Sequence, residues 1–565
     1  MIKQAALFLL AGEAAYVAAV TSSDWNALNQ TVGGRLQLGS PFAKPCFSLG
    51  TGGSSLTPDP TACNEIQTRA EDHVFRTQHF GAYQLNQWES CQSNGDQCML
   101  DWTNPFNPAA YNPPRQCLVG NVPPYYIDVQ GVDDVKAAIK FSKKTKVPLV
   151  IKNTGHDYKG RSAGIGSLAL WTHHLNQLQF KPAFVPEKCS SKPVTAITMG
   201  AGAEFVDIYA FATQNNVTFV GGADPSVGAS GGWVMGAGHG ALSPVLGLGV
   251  DRVLEFKIVT ADGQLRTVNK CQHPDLFFAL RGGGGGTFGV VLESTHLVTP
   301  PVVVQAVLGE YNNTKANSAK LIKALSKVSV GLASDGWGGY ITPPAGSAVW
   351  ANPILSPQKA KQSADGVVKA FASVGGKTTF FTMPDWESFY STFIHNNADP
   401  VGRPQVMATR IIEDKKMKND KLVDALINGM LESDFGQILA VTPYTFKNFD
   451  KSGTSIHPGW RNGIWHVLMS YNWNFDASVA DRVAQYKKLT KLWAPVRAMT
   501  PGAAVYQNEA DVYEPDHEVG YWGPHYPKLL SIKKKYDPQG LFDCWHCVGW
   551  KGPKDPRYKC YPKIN

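Results

Sequence analysis

Apolar and polar positions between residues 120 and 300 change repeatedly from the spacing of a strand to the spacing of a helix. Residues 125–129 have the composition of a short strand. Residues 132–144 repeat apolar side chains at helical spacing and carry two aspartates in the first turn, which indicates an α-helix. Residues 147–151 predict a buried strand. We therefore expect a strand–helix–strand unit that leads directly into a glycine-containing loop at residues 153–162.

The alternation continues along the chain, but the glycine content and the length of the helical patterns differ before and after residue 300. Up to residue 300 the pattern predicts strands at 195–199, 217–221 and 290–298, helices at 205–214 and 274–281, and a hairpin of strands 254–260 and 265–268 around Asp262-Gly263. Beyond residue 300 glycine becomes rarer, and helical patterns over 317–331, 356–374, 419–433 and 477–493 are mixed with strands at 302–311 and 464–472. The pattern beyond residue 300 is typical of a separate α+β lobe.

Length and composition agree with two lobes. A chain of 565 residues is too long for one hydrophobic core. The net charge of +8 is scattered, and without a basic stripe or a recognition motif we expect no nucleic-acid partner. No apolar run approaches the roughly 20 residues that span a bilayer, so we expect no membrane partner. We expect a monomer.

The N-terminus suggests export. Lys3 precedes the apolar run of residues 5–12, and small residues near position 19 suit a cleavage site, although Glu13 interrupts the run. An ordinary N-terminal helix is the alternative. Glycosylation sequons begin at Asn29, Asn216 and Asn312. We expect a secreted glycoprotein.

The even number of cysteines also fits an oxidising compartment. The ten cysteines cluster towards both ends of the chain, which suits disulfides that hold irregular termini. Cys544-Trp-His-Cys547, with Cys560 beyond, has the spacing of part of a zinc site but no convincing fourth ligand. We therefore favour disulfides and expect no metal.

Three glycine-rich segments at residues 153–162, 221–240 and 281–289 carry the functional signal. Glycine lets the backbone approach a bulky ligand and exposes N–H groups to phosphate oxygens. Three such loops in one α/β region predict a large phosphorylated cofactor. The segment from Gly236 to Ala241 also fits a dinucleotide fingerprint, but no clean strand precedes it and Pro244 would break the helix that must follow.

These loops resemble those of the flavoproteins related to vanillyl-alcohol oxidase, which have the p-cresol-methylhydroxylase (PCMH) type of FAD domain. The matching segments are Thr154-Gly-His-Asp-Tyr-Lys-Gly-Arg-Ser162, Asp224-Pro-Ser-Val-Gly228 with the glycines up to Gly240, Leu280 to Gly289, Tyr506-Gln-Asn-Glu509 and Tyr536 to Phe542. The chain is most similar to the berberine-bridge-enzyme-like subgroup, and within it to secreted fungal proteins labelled isoamyl alcohol oxidases. The resemblance covers roughly residues 120–300 and 500–550.

The resemblance implies an α+β fold with a two-subdomain, PCMH-type FAD domain and an α+β substrate domain whose mixed or antiparallel sheet is covered by helices. We expect a signal peptide over residues 1–19, an irregular disulfide-stapled segment over 20–118 with one helical stretch in 62–89, an FAD domain over 119–300, a substrate domain over 301–500, and a C-terminal segment over 501–565 that completes the FAD domain.

The family further implies covalent FAD, joined at its 8α-methyl group to His156. The other expected cofactor contacts are Asn153, Thr154, Gly155, Asp157, Tyr158, Gly160, Arg161 and Ser162 in the first loop, Asp224, Pro225, Ser226, Gly228, Gly231, Gly232, Gly236, Gly238 and Gly240 in the second, Gly286, Phe288 and Gly289 in the third, and Asn508. Many relatives have a second link, from a cysteine to flavin C6. Here the matching residue is Asp224, so we expect one link only.

The reaction implied is oxidation of an alcohol, in which flavin takes hydride, a base takes the hydroxyl proton, and O₂ is reduced to H₂O₂. Glu509, Tyr506 and His466 are the candidate catalytic residues, and each has a structural alternative as a bracing or core side chain. A small or medium alcohol or a secondary metabolite is the expected substrate. A dehydrogenase with another acceptor and a silent flavin-binding scaffold are the alternatives.

Overall fold

The computed structural model describes residues 20–446 and 453–564. The predicted signal peptide, residues 1–19, lies outside them. The strands are β1 (Leu36–Leu38), β2 (Tyr125–Asp128), β3 (Leu149–Lys152), β4 (Leu168–Trp171), β5 (Leu178–Phe184), β6 (Val194–Gly200), β7 (Val253–Val259), β8 (Leu265–Asn269), β9 (Val290–Leu297), β10 (Val304–Glu310), β11 (Gly338–Thr342), β12 (Ser347–Asn352), β13 (Lys377–Met383), β14 (Gln405–Glu413), β15 (Phe435–Ala440) and β16 (Gly463–Asn472).

Helices alternate with these strands along the chain. They are α1 (Ser22–Thr31), α2 (Pro60–Thr68), α3 (His73–Thr77), α4 (Val132–Thr145), α5 (Phe205–Gln214), α6 (Val234–Gly236), α7 (Ser243–Leu246), α8 (Gly249–Arg252), α9 (Pro274–Leu280), α10 (Lys315–Ser334), α11 (Pro357–Ser363), α12 (Asp365–Ala372), α13 (Trp386–Phe393), α14 (Asp420–Glu432), α15 (Val479–Met499), α16 (His517–Trp522) and α17 (Tyr526–Tyr536). Within the described ranges, none is long and apolar enough to cross a bilayer.

Two sheets carry the three glycine-rich loops. A four-stranded sheet has the order β1-β2-β4-β3, in which β4 runs parallel to both β2 and β3. A five-stranded antiparallel sheet has the order β5-β6-β9-β7-β8. The first loop follows β3, the second follows α5, and the third lies between α9 and β9. Each loop therefore leaves the end of a buried element, which fixes its position.

A seven-stranded antiparallel sheet, with the order β13-β10-β12-β11-β15-β16-β14, forms the second lobe. Its strands alternate between two faces, as the period of 2 requires. On β15, Ile438 packs into the cluster that contains the apolar residues of α10, α12, α14 and α15, whereas Gln437 and Leu439 face the opposite side. On β14, Val406 and Met407 divide in the same way. Helices thus cover one face, and the other face is left for a ligand.

Five disulfides pair all ten cysteines. They are Cys46–Cys63, Cys91–Cys560, Cys98–Cys117, Cys189–Cys271 and Cys544–Cys547. The bond between Cys91 and Cys560 ties the N-terminal segment to the C-terminal one. The preference for disulfides over a zinc site is confirmed, because Cys544, Cys547 and Cys560 have no thiolate left to bind a metal.

The expected α+β fold class is confirmed, and three local predictions need correction. Residues 217–221 do not form a strand: the run is apolar because Phe219 and Val220 are buried, and only Thr218 pairs, with Thr299. The helical pattern over 356–374 is interrupted at residue 364 and forms α11 and α12. Helix α1 was missed, although Thr21 and Asp24 form the reciprocal capping bonds that their spacing permits.

Candidate active site

A cavity of about 960 Å³ lies between the glycine-rich loops and the uncovered face of the seven-stranded sheet. This volume is at the upper end of the roughly 300–1,000 Å³ of typical ligand cavities. All three loops, the C-terminal segment around Asn508 and the sheet contribute to its wall. The cavity therefore joins the two lobes.

Glycine allows the first two loops and the C-terminal segment to press against one another. A Cβ atom on Gly228 or Gly231 would come within 2.6 or 2.8 Å of the Asn153 side chain, and one on Gly236 within 2.2 Å of the Asn508 amide. The Asn508 amide also donates to Gly232 O at 2.8 Å. The loops thus form one wall, and they can pack this closely only because glycine has no side chain.

Other glycines leave room for a ligand. Gly232 and Gly286 line the cavity, and a Cβ atom at either position would meet nothing within 4 Å. Near them, Asn153 Oδ1, Arg161 Nη1 and Ser162 Oγ are buried without a hydrogen-bond partner among the described residues. Buried polar atoms of this kind are costly unless something binds them. The wall therefore suits a large ligand with phosphate and carbonyl oxygens, as FAD has.

One end of the cavity carries His156. Its Nε2 lies 2.7 Å from Ser226 Oγ and 3.3 Å from Asp224 Oδ1. The other carboxylate oxygen of Asp224 lies 2.7 Å from Nδ1 of His73. Burial alone would raise the pKa of Asp224, but the imidazoles of His156 and His73 outweigh it and hold that pKa below its ordinary value. Asp224 is therefore a charged group between two histidines.

A second cluster carries Glu509. Glu509 Oε1 lies 3.2 Å from Nε2 of His239, and Glu509 Oε2 lies 3.3 Å from Nε2 of His466, at an angle that does not make a hydrogen bond. Burial acts to raise the pKa of Glu509, but the two histidines outweigh it and lower that pKa. Burial lowers the pKa of His466 to about 3, so this imidazole is neutral. Glu509 is consequently an ionised carboxylate beside a neutral imidazole.

The three candidate catalytic residues differ in their access to the cavity. Glu509 and Tyr506 line it, whereas His466 is fully buried behind Glu509. Burial raises the pKa of Tyr506, and its hydroxyl oxygen accepts a 2.8 Å bond from Asn508. A phenol that stays protonated cannot act as a base. Glu509 is therefore the candidate whose position and charge both suit proton removal.

His239 is one of the site residues that were not predicted from the sequence. Only its flanking glycines were predicted to bind cofactor, although a histidine inside a glycine-rich loop was a visible signal. Among the described residues, His239, His466 and Glu509 also place ligand atoms within 4.8 Å of one another, which is the composition of a divalent-metal site.

The structure brings most of the expected cofactor contacts to the cavity wall. Those that line it are Asn153, Thr154, Gly155, His156, Asp157, Tyr158, Arg161, Ser162, Asp224, Gly228, Gly231, Gly232, Gly286, Gly289 and Asn508. Those that do not are Gly160, Pro225, Ser226, Gly236, Gly238, Gly240 and Phe288. Several of the latter are packing positions: a Cβ atom on Gly160 would strike the Trp88 ring at 2.2 Å, and Phe288 is buried in the core.

The sheet supplies the opposite wall. Tyr340, Met407, Leu439 and Leu468 give it a largely apolar surface. Among the second-lobe aromatic residues Trp337, Tyr340, Trp350, Trp386, Phe389, Tyr390, Trp465 and Trp473, only Tyr340 lines the cavity. Asp399 and Arg403, in the segment before β14, also line the cavity, although no motif in the sequence points to them.

Two family models match the chain. The model described as "FAD binding domain" matches residues 123–269, and the model described as "Berberine and berberine like" matches residues 505–548. They cover the first two loops and the C-terminal segment with Glu509.

Relatives and solved structures match nearly the whole chain. The FAD-linked oxidoreductase ffsJ of Aspergillus flavipes is 38% identical over 587 residues, which cover 96% of this chain and 94% of the relative. The crystal structure of the VAO-type flavoprotein MtVAO615 from Myceliophthora thermophila C1 superposes with a TM-score of 0.82 at 28% identity, over 96% of this chain and 97% of that one.

A more distant structure shares the fold. The glucooligosaccharide oxidase of Acremonium strictum has a TM-score of 0.61 at 19% identity, over 76% of this chain and 92% of that one. The FAD of that oxidase is described as 6-S-cysteinyl and 8α-N1-histidyl.

Proposed function

Because this chain belongs to the FAD-linked oxidoreductases of the VAO and berberine-bridge type, we propose that it oxidises an alcohol and passes the electrons to O₂, which forms H₂O₂. One observation carries the proposal. The ionised carboxylate of Glu509 stands on the cavity wall beside two imidazoles, between the glycine-rich loops and an apolar sheet face.

FAD is held by the three loops and by one covalent bond. Asn153, Arg161 and Ser162 offer buried polar atoms to its oxygens, and Gly232 and Gly286 leave room for it. His156 is the linking residue. A second link needs a cysteine thiol, and the cysteines of this chain are all in disulfides, while Asp224 stands where some relatives have the linking thiol.

Each of these side chains has its own role in alcohol oxidation. When bound, FAD supplies the acceptor for the two electrons of the alcohol C–H bond. Glu509 accepts the hydroxyl proton and becomes neutral, and His239, whose Nε2 lies 3.2 Å from Glu509 Oε1, orients the carboxylate. Tyr506 remains protonated and fixes Asn508, which in turn holds Gly232. The apolar wall of Met407, Leu439 and Leu468 excludes water and receives the body of the substrate.

The apolar wall of the cavity indicates the class of substrate. A small or medium alcohol, or a secondary metabolite with an alcohol group, fits a largely apolar surface better than a sugar, which needs many hydrogen-bonding partners. Asp399 and Arg403 add charge at the edge of the wall. Burial raises the pKa of Asp399 to about 6.

The protein is secreted and acts as a monomer in this proposal. Five disulfides suit an oxidising compartment, and the sequon residues Asn216 and Asn312 are exposed, so that glycans can attach without disturbing the fold.

The test is anaerobic mixing of the purified holoprotein with a panel of primary and secondary alcohols, followed by admission of air. We expect an alcohol to bleach the flavin absorbance, and air to restore it with one H₂O₂ per alcohol consumed. Slow reoxidation in air, with fast reoxidation by a quinone or dye, would instead identify a dehydrogenase. Failure of every alcohol both to bind and to bleach would identify a silent scaffold.

A further inference from the structure

The side of His156 that faces the protein is held by a chain of polar groups. Ser226 Oγ lies 2.7 Å from His156 Nε2 and 3.0 Å from Asp224 Oδ1. Asp224 Oδ2 accepts a 2.7 Å bond from Nδ1 of His73. Gln84 braces both ends, because its amide donates to His73 O at 2.9 Å and reaches Ser226 Oγ at 3.4 Å. The contacts of Asp224 therefore extend well beyond its role in the turn before Pro225.

The charge of Asp224 determines where the protons lie in this series of polar side chains. An ionised carboxylate only accepts hydrogen bonds, so Asp224 accepts one from the Ser226 hydroxyl. If His156 Nε2 carried a lone pair, two acceptors would face each other at 3.3 Å. Nε2 therefore carries the hydrogen and donates it towards Ser226 and Asp224. The lone pair is then on Nδ1, which has no hydrogen-bond partner within the part of the chain that the structure describes.

We propose that His73, Asp224 and Ser226 form a positioning array that prepares His156 for its bond to the flavin, by holding Nε2 as the protonated nitrogen and Nδ1 as the nucleophile. The inference rests on the proposed covalent attachment of FAD and assigns a function to three residues around it. Asp224, which stands where relatives have a second linking cysteine, here serves the first link instead.

The bond-forming step gives Asp224 a defined charge to stabilise. Nδ1 supplies the electron pair for the new N–C bond, and the flavin methyl group loses one proton. Two electrons enter the flavin ring, and the imidazole becomes cationic. The imidazole ring returns to neutrality when the Nε2 proton leaves through Ser226 towards Asp224. O₂ takes the two electrons and the two protons as H₂O₂, so that the step balances. A carboxylate 3.3 Å from Nε2 stabilises the cation in the same way that an aspartate supports a catalytic histidine.

The experiment follows covalent flavinylation rather than turnover. Wild-type protein, Asp224→Asn, Ser226→Ala and the control Asp133→Asn are produced with limited riboflavin, supplied with FAD in air, and sampled over time. Intact mass measures the covalent fraction, absorbance measures total flavin, and thermal unfolding checks the fold. Asp133 is a suitable control because it is exposed on α4 and does not line the cavity.

Flavinylation of Asp224→Asn is expected to be on the order of 100-fold slower than in the wild type, with FAD still bound. The Asp133→Asn control is expected to react at the wild-type rate. Because the Asp224 carboxylate holds Nε2 in its protonated form, NMR of the ¹⁵N-histidine flavinyl peptide from Asp224→Asn is expected to show both Nδ1 and Nε2 isomers, whereas Ser226→Ala is expected to keep the Nδ1 isomer and to react more slowly. A purely structural role of Asp224 would not produce that mixture.

Two results would overturn the inference at different levels. Wild-type protein with only dissociable FAD would refute the proposed covalent link and the array together. Covalent wild-type flavin, with unchanged rate and a single isomer in both variants, would refute the array alone.

Discussion

Glu509 Oε1 lies 3.2 Å from Nε2 of His239, although the two residues are 270 positions apart in the chain. The contact joins the second glycine-rich loop to the C-terminal segment at the cavity wall. Burial acts to raise the pKa of Glu509, and the contact with His239 acts to lower it; the net shift is downward, so the carboxylate is ionised. Proton removal from a substrate depends on that balance.

Replacement of the carboxylate by an amide tests its role as base. Glu509→Gln is expected to lower the rate of flavin reduction by about 10²–10⁴-fold, because a positioned base contributes this much. Covalent flavin content and reoxidation in air are expected to stay at wild-type levels. Stopped-flow absorbance separates the two half-reactions, and an unchanged reduction rate would show that Glu509 is not the base.

The pH profile tests the contact between His239 and Glu509. Activity requires the ionised carboxylate, so a lowered pKa extends activity to more acidic pH. His239→Gln removes one of the groups that lower this pKa. The acidic limb of the flavin-reduction rate is therefore expected to move to higher pH in the variant. A limb that stays in place would mean that another group controls it.

Acid stability tests the buried, neutral state of His466. Its pKa is lowered to about 3 in the folded protein, whereas the unfolded chain binds the proton near the ordinary value of 6.5. Between these values the unfolded state holds more protons, so stability is full above 6.5 and falls as the pH drops towards 3. His466→Gln is expected to reduce this slope, by up to about 1.4 kcal/mol per pH unit. Urea unfolding at several pH values measures it, and equal slopes would contradict the assignment.

Chelation distinguishes proton transfer from metal chemistry at the same cluster. Because Glu509 acts by taking a proton, prolonged dialysis against EDTA is expected to leave flavin reduction and peroxide production unchanged. Loss of activity that returns with a divalent cation would show that His239, His466 and Glu509 hold a metal ion instead.

Local sequence signals indicated the cofactor loops, and the family resemblance pointed to Glu509 and His466, but the contacts within the reaction site could not be predicted. His156 and the glycines of the first loop lie within one short segment, which allowed the resemblance to assign them an expected role. Glu509, His239 and His466 come from the C-terminal segment, the second loop and β16, and only tertiary packing brings them together.

Register explains why the substrate wall could not be predicted. On β11 and β15 the side chains alternate between the helix-covered face and the cavity, so Tyr340 and Ile341 have opposite environments. Tyr340 and Trp350 look equivalent in the sequence, yet only the former lines the cavity. A shift of one residue would exchange the two faces. Residues 217–221 show the same limit, because burial made an irregular segment resemble a strand.

Denaturing electrophoresis of the wild type and His156→Ala, with detection of flavin fluorescence in the gel, tests whether FAD is covalently bound through His156. We expect a fluorescent band for the wild type and none for the variant, with FAD still bound to the folded variant. A fluorescent band in His156→Ala would place the bond on another residue. A wild-type protein without flavin would contradict the assignment of the three loops to FAD.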